Sequence, residues 1–411
     1  MFHGFQEAVA FARGHALTMV DLKFCDLAGR WRHVTLPVER FTPGLLEDGV
    51  GIDGSSVGLR SVKSGDLVLV PDLSTGFVDP FPEEPTLSFL GAILEADDRS
   101  PLPFDPRSIA RRAEERLRES GVGTGSLWGP EFEFYLFDGV AYENGVNVAS
   151  YRVESAEADW RSHELGSGFT IPRHGGYHAL PPQDHLDGAR SRICRTLESV
   201  GVPVKYHHHE VGGPGQCEIE IPLLPLVSAG DAALMVKYVV RRTATALGLT
   251  ATFMPKPFFG EAGSGMHCHQ LYLSGDRNVF YDPSGYGCLG ETARFEFRPP
   301  DATANPYLAL ASQLLAGLDG IERRMDPSSL GFGPVDADVF SLPPEKRATI
   351  RALPTALHES LDALERDHAF LTAKGVFPED LVPRWIEKKR EEDREVRNRP
   401  HPYEIELYYD L

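Results

Sequence analysis

Cysteine is scarce in this chain. Cys25, Cys194, Cys217, Cys268 and Cys288 are the five among 411 residues. The number is odd, the spacings are scattered and no C-x-x-C occurs, which excludes a disulfide framework and a cysteine-built structural zinc site. Positive charge is also in short supply. Against 60 Asp and Glu stand 41 Lys and Arg, for a net charge of −19, which excludes a nucleic-acid backbone as the main partner. No apolar run reaches the length of a membrane span, and the opening MFHGFQEAVAFARGHAL has no apolar signal core, so the expected location is the reducing cytoplasm. Internal repeats and low-complexity tracts are absent. A hydrophobic content of 42% leaves material for a sizeable core and excludes wholesale disorder.

The first hundred residues read as β-rich. Residues 16–24 and 31–37 form two strands around the turn Asp26–Gly29, and 67–70 and 85–94 add more. Residues 98–106 (DDRSPLPFDP with its preceding Asp) read as a linker. Beyond it the pattern alternates. Helices are expected at 107–119, 185–200, 229–246, 305–323, 353–366 and 379–397. Strands are expected at 131–137, 202–210, 216–222, 251–257 and 267–273. The fold class is α+β, with a small domain over 1–100 and a large one over 101–411. The charge run Glu387–Arg394 reads as a solvated helix face.

Four stretches set carboxylates or imidazoles on alternate residues: Glu131-Phe132-Glu133-Phe134, Gln216-Cys217-Glu218-Ile219-Glu220-Ile221, His267-Cys268-His269 and Arg294-Phe295-Glu296-Phe297-Arg298. A strand sends successive side chains to opposite faces, so each stretch has an apolar face and a polar one. His207-His208-His209-Glu210 adds further candidates. One such pair alone reads as a solvent-facing strand, because Glu is mostly exposed. Repetition changes that reading, as do the Gly- and Pro-rich neighbours (Gly129-Pro130, Gly212 to Gly215, Gly260 to Gly265), which allow close backbone approach. Two carboxylates about 4 Å apart repel by roughly 4 kcal/mol at an effective dielectric near 20. If the polar faces converge, a cation belongs among them. Oxygen-rich sites with at most one imidazole suit Mg²⁺ or Mn²⁺, and two such ions form a clamp for phosphoryl chemistry. Arg294 and Arg298, on the face of Glu296, suit phosphate or carboxylate; they also suit ion pairing with the glutamates.

Taken in order, IDGSS, GPEFEF, GGY, HHHEVGGPGQCE, FMPKPFFGEAGSGMHCH, RFEFRPPDATANPYL and RPHPYEIELYYDL resemble class I glutamine synthetase over almost the whole chain. The resemblance implies a β-grasp N-terminal domain, then a catalytic domain with a curved antiparallel sheet flanked by helices. It implies a homo-dodecamer of two stacked hexameric rings with shared active sites. Glu133, Glu210 and Glu218 would hold one divalent ion, and Glu131, His267 and Glu296 the other. His269, Arg294 and Lys205 would lie along the ATP site. Arg298 would meet the substrate carboxylate or the phosphoryl group, Gly263 would offer backbone contacts to glutamate, Tyr177 would sit near the ammonium pocket, and Asp53 would come from the adjacent subunit to help deprotonate ammonium. The implied reaction forms glutamine from glutamate, ammonia and ATP through γ-glutamyl phosphate.

The resemblance breaks most sharply in one place, and at several single positions besides. His267 and Glu296 are 29 positions apart, whereas family members carry several dozen more residues there, among them the flap that closes over glutamate and several arginines that bind glutamate and the transferring phosphoryl group. The catalytic domain is thus expected to be shortened around 288–294. Ala262 stands where a glutamate-binding Asn is usual, Leu271 replaces a Ser, Lys205 stands where some members carry an acidic nucleotide contact, and Phe340 takes the place of the adenylylated Tyr. The sequence therefore leaves three expectations: a glutamine-forming ligase, a ring-forming pseudoenzyme that binds metal or nucleotide without ligation, and a γ-glutamyl ligase for a larger amine.

Overall fold

The structure is a computed structural model that describes residues 2–60, 65–166, 168–281, 293–332, 335 and 337–411. Cys288 and the 288–292 part of the shortened stretch lie outside them. The chain divides into two compact units, Met1–Ala311 and Ser312–Leu411.

The first unit opens with helix α1 (Phe5–Gly14), then strands β1 (Met19–Cys25) and β2 (Trp31–Pro37), a short helix α2 (Pro43–Glu47), and strands β3 (Val50–Asp53), β4 (Asp66–Asp79) and β5 (Thr86–Glu95). These strands form a mixed sheet in the order β2-β1-β5-β4-β3, with β1 and β5 parallel. Phe2, Phe11, Phe41 and Phe89 pack ring to ring and join α1 to the sheet. The β1–β2 turn needs Gly29, whose φ is +82° and whose place offers no room for a side chain: a Cβ there would lie 2.7 Å from Asn305 Cα. The 98–106 stretch is a packed connection, with Leu102 and Phe104 buried and Leu102 N–H donating to Ile93 O. Asp105 ends it and caps helix α3 (Pro106–Ser120) by accepting from Arg107 N and Ser108 N. Proline at the first helical position and Gly121 in the left-handed region fix the two ends.

The second sheet is built on β6 (Gly125–Phe137). After a hairpin, β7 (Gly139–Asn144) and β8 (Ala149–Glu154), come α4 (Asp187–Ser199), β9 (Tyr206–His209), β10 (Gln216–Glu220), β11 (Leu224–Pro225), α5 (Leu226–Ala246), β12 (Thr250–Thr252), β13 (Cys268–Ser274), β14 (Arg277–Asn278), β15 (Phe295–Phe297) and α6 (Pro306–Glu322). The strand order is β14-β13-β6-β10-β9, with β11 and β12 also on β6 and β15 on β13, all antiparallel. β6 changes partner along its length: residues 125–130 pair with β13, and 131–135 pair with β10. The apolar face of this hand-over is closed by Phe132, Phe134, Cys217 and Ile219, all fully buried.

Three expected strands are shorter than their apolar patterns. The 251–257 stretch pairs only over Thr250–Thr252, because Pro255 and Pro257 have no N–H for a ladder, and Pro203 does the same to the start of 202–210. The Arg294–Arg298 stretch is a strand only over Phe295–Phe297. Phe295 is 53% exposed in the chain instead of facing a core, because β15 spans three residues and pairs with β13 alone among the described residues.

In the second unit, α7 (Pro344–Arg347), α8 (Leu357–Arg366), α9 (Ala369–Thr372), α10 (Leu381–Arg397) and α11 (Pro402–Tyr408) follow. Helix α8 begins later than the periodicity suggests, because Glu359 reaches back to the Thr355 and Ala356 N–H groups. Leu361, Leu381, Val382 and Ile386 are buried, and Arg390 of the charge run bridges Asp362 and Glu365 of α8.

Candidate metal and substrate site

The register of β6 and β10 sets acid directly opposite acid. Glu133 faces Glu218, and Glu131 faces Glu220. Like charges in such cross-strand pairs are destabilising, yet none of these carboxylates is free in water: Glu133, Glu218 and Glu220 are buried. The chain enters β13 beside them. Glu131 N–H donates to His267 O and Glu133 N–H to Gly265 O, which brings His267 against both glutamates. His267 Nδ1 lies 3.0 Å from Glu131 Oε2 and 3.7 Å from Glu296 Oε1, and its Nε2 lies 3.5 Å from Glu133 Oε1. Glu296 arrives through β15, opposite His269. Glu210 follows β9, and His208 lies between Glu210 and Glu218, at 3.6 Å and 3.4 Å.

Glu131, Glu133, His208, Glu210, Glu218, His267 and Glu296 line one cavity of about 540 Å³, together with Tyr177, His178, Tyr206, His207 and Arg298. All six residues expected to hold divalent ions are therefore in a single hollow. Donor atoms of Glu131, His267 and Glu296 lie within 4.8 Å of one another, as do those of His208, Glu210 and Glu218, and those of Glu131, Glu220 and His269. Glu133 points Oε2 elsewhere, accepting from Gly265 N–H at 2.9 Å and Gln216 Nε2 at 3.2 Å.

The electrostatics show how poorly the protein alone satisfies these acids. Burial, then the neighbouring Glu218 and Glu133, pushes the Glu210 carboxyl up to about 7. Burial likewise raises Glu133, against the pull of the Gly265 N–H and His267. Burial would raise Glu131 too, but hydrogen bonds from His267 and His269 hold it well below the usual carboxylate range. Burial opposes the charge on His267, yet Glu131 and Glu133 raise it. Glu210 Oε2, Glu220 Oε2 and His269 Nδ1 are buried without a hydrogen-bond partner. Carboxylates with orphaned oxygens and single imidazoles fit hard divalent cations such as Mg²⁺ or Mn²⁺.

The other expected site residues are placed as follows. His269 is not among the residues that line the hollow; its Nε2 lies 2.6 Å from Glu131 Oε1. Arg298 donates to Glu296 Oε1 at 2.5 Å and is otherwise exposed. Arg294 is exposed just ahead of β15 and does not line the cavity. Lys205 is an ion-pair partner of Glu220, at 2.5 Å, and is not among the lining residues. Tyr177 is exposed in the mouth, its ring tilted against His178 and edge-on to His208. The Gly263 carbonyl accepts from Gln216 Nε2. Asp53 is exposed outside the cavity of its own chain, accepting from Ser55 N–H and Ser56 Oγ; those bonds, Ser55 first, hold it below the usual range. Glu220, Gln216 and His208 take part without having been singled out as ligands. Glu220 continues the alternation of Glu218, which is the signal that marks it. Glu157, buried behind Glu210, has no such signal, because its partners are 28 to 58 residues away.

Fold and site define an α+β protein with paired carboxylate–imidazole centres on one antiparallel sheet. The glutamine synthetase catalytic-domain model matches residues 103–294 and 287–408, and the glutamine synthetase β-grasp model matches residues 16–96. Glutamine synthetase of Frankia alni is 36% identical, with all of both chains covered; that of Mycolicibacterium smegmatis is 36% identical, covering 95% of this chain and 96% of its own. The fold is similar to a cryo-EM structure of Plasmodium falciparum glutamine synthetase, with a TM-score of 0.87, 22% identity and 99% of each chain covered. The chain belongs to the glutamine synthetase family. Its N-terminal domain is a β-grasp domain and its second sheet is that of the catalytic domain. The two catalytic-domain matches meet at 287–294. The Frankia alni alignment spans 478 positions against 411 residues here, so 67 positions have no counterpart in this chain.

Proposed function

We propose that this chain is an ATP-dependent carboxylate–amine ligase of the glutamine synthetase type. The observation that carries this reading is the convergence of Glu131, Glu133, Glu210, Glu218, His267 and Glu296 in one hollow. Glu133, Glu210 and Glu218 would hold one divalent ion, and Glu131, His267 and Glu296 a second. Such ions supply charge neutralisation for phosphoryl transfer. The chain's own groups then have definite tasks. Arg298, tethered by Glu296, would orient an anionic group at the mouth. His269 and Arg294 would flank the nucleotide, with Lys205 at its edge, and Gly263 would meet the amino acid through its main chain. The γ-phosphoryl of ATP would pass to the side-chain carboxylate of glutamate with release of ADP. Ammonia would then attack the acyl phosphate and release phosphate. Tyr177 would border the ammonium, and Asp53 of a neighbouring copy, ionised at neutral pH, would take the ammonium proton. That arrangement requires a ring, and two stacked hexamers supply it. We place the domain division near residue 100, between the two matched segments.

One observation favours a second reading. The catalytic-domain match is split into two segments that overlap at 287–294, where the family resemblance leads us to expect the flap and several substrate-binding arginines. Without them an acyl phosphate is open to water, and each lost donor costs about 10²–10³ in rate. On that reading the chain binds metal and nucleotide without ligation. Incubation with ATP, glutamate, ammonium and Mg²⁺ or Mn²⁺ separates the two: the ligase reading expects phosphate release matched by glutamine, and its absence with ATP still bound favours the second. Larger amines in place of ammonium test the γ-glutamyl alternative.

A further inference from the structure

Behind the acidic hollow lies a pair that the reaction does not use. Glu157 and His209 are essentially inaccessible, at 1% and 0% exposure. His209 Nε2 lies 3.2 Å from Glu157 Oε2. On the other side of the ring, His209 Nδ1 lies 2.7 Å from the main-chain carbonyl of Glu210. A carbonyl can only accept, so Nδ1 is the donor there.

Glu157 does more than hold this ring. Its Oε2 also accepts from Gly215 N–H at 2.9 Å, and its Oε1 accepts from His185 N–H at 2.7 Å. One carboxylate therefore fixes the end of β9, the turn that leads into β10, and the approach to α4. The cavity-lining loop is tied to the same point. His178 N–H donates to His209 O, and Gly176 N–H donates to Val211 O. Gly176 packs so closely that a Cβ there would lie 2.5 Å from His209 Nδ1 and 2.4 Å from Glu210 O.

We infer that Glu157 and His209 are positioning residues for the cation site: the buried pair sets the main chain on which Glu210 stands, and with it the carboxylate's aim into the hollow. This rests on Glu210 being a cation ligand. Groups of this kind, one shell behind the ligands, typically change metal affinity by about 10–100-fold when removed.

The test is a titration of the full chain with Mn²⁺ alone, read by the electron paramagnetic resonance of free Mn²⁺, alongside a thermal melt. Glu157→Ala and His209→Leu are expected to weaken Mn²⁺ binding about 10–100-fold. His209→Asn, which keeps a donor at the Nδ1 position, is expected to recover most of that loss, whereas a merely structural defect gives no such order. Should Glu157→Ala fail to fold, Glu157→Gln keeps the volume and an acceptor, and is expected to fall between wild type and His209→Leu. Folded variants that bind Mn²⁺ as the wild type does overturn the proposal alone, even if they melt earlier. A wild-type chain that takes up no Mn²⁺ overturns the cation reading, and the proposal with it.

Discussion

Glu210 concentrates the site's electrostatic conflict in one carboxyl group. Its affinity for a proton, near 7, lies above the ordinary 4.5 of a glutamate. The folded state thus binds that proton more tightly than the unfolded chain does. The associated stability is present in full below about pH 4.5 and is lost as pH rises through about 7. A divalent ion displaces the same proton. The rise in melting temperature on adding excess Mg²⁺ is therefore expected to be small near pH 6 and larger near pH 8, and a calorimetric scan at both values checks it. Glu131 works in the opposite sense: its stabilisation is present above the ordinary carboxylate range and is lost on acidification through its lowered value. Substituting Glu210→Gln removes the conflict. The metal-free chain at about pH 8 is expected to gain about 1–3 kcal/mol in a denaturant melt, while Mn²⁺ uptake falls. A loss of stability in the metal-free variant would contradict the assignment of repulsion at this position.

At the scale of elements, β6 organises the molecule by exchanging β13 for β10 at the point where its two glutamates stand. A second junction joins the sheets through helices. Asp231 on α5 accepts both Nε and Nη2 of Arg107 on α3 and the hydroxyl of Tyr307 on α6, while Arg107 Nη1 reaches Asp72 of β4. Arg107 and Tyr307 are buried, so Asp231→Ala leaves a charge and a hydroxyl without this partner. Because Arg107 keeps Asp72, the expected cost is that of unsatisfied buried donors, about 1–3 kcal/mol, and urea unfolding is expected to show a drop of that size. Little of this network was legible in the sequence, because Asp231 lies 124 positions from Arg107 and 76 from Tyr307 and no local pattern links them. The strands of the acidic hollow were legible for the opposite reason. Alternation is local, and Glu131, Glu133, Glu218 and His267 announce their faces within a few residues. Where local pattern failed, backbone chemistry explains it: prolines at 203, 255 and 257 cut strands short. The β7–β8 hairpin and α11 lie almost wholly at the surface, so their apolar residues follow no core-facing period that would mark the elements.

At the scale of the whole chain, two elements carry several exposed apolar groups each among the described residues. Val140, Tyr142 and Tyr151 stand on the β7–β8 hairpin, and Tyr403, Ile405, Leu407 and Tyr408 stand on α11. Exposed apolar groups that form a contiguous patch mark a contact surface. If copies assemble as two stacked hexamers, light scattering is expected to give about twelve times 45.3 kDa, and deleting 402–411 is expected to shift the population to smaller species. A chain that stays at 45.3 kDa under all conditions would remove Asp53 from any shared site.

The facing glutamates of β6 and β10 have a consequence for biosynthesis. A nascent chain must zip these strands together before the hollow exists, and zipping alone brings acid against acid. If divalent cations offset that repulsion, refolding from denaturant should recover less native chain without Mg²⁺ or Mn²⁺ than with them, and the shortfall should appear as aggregate.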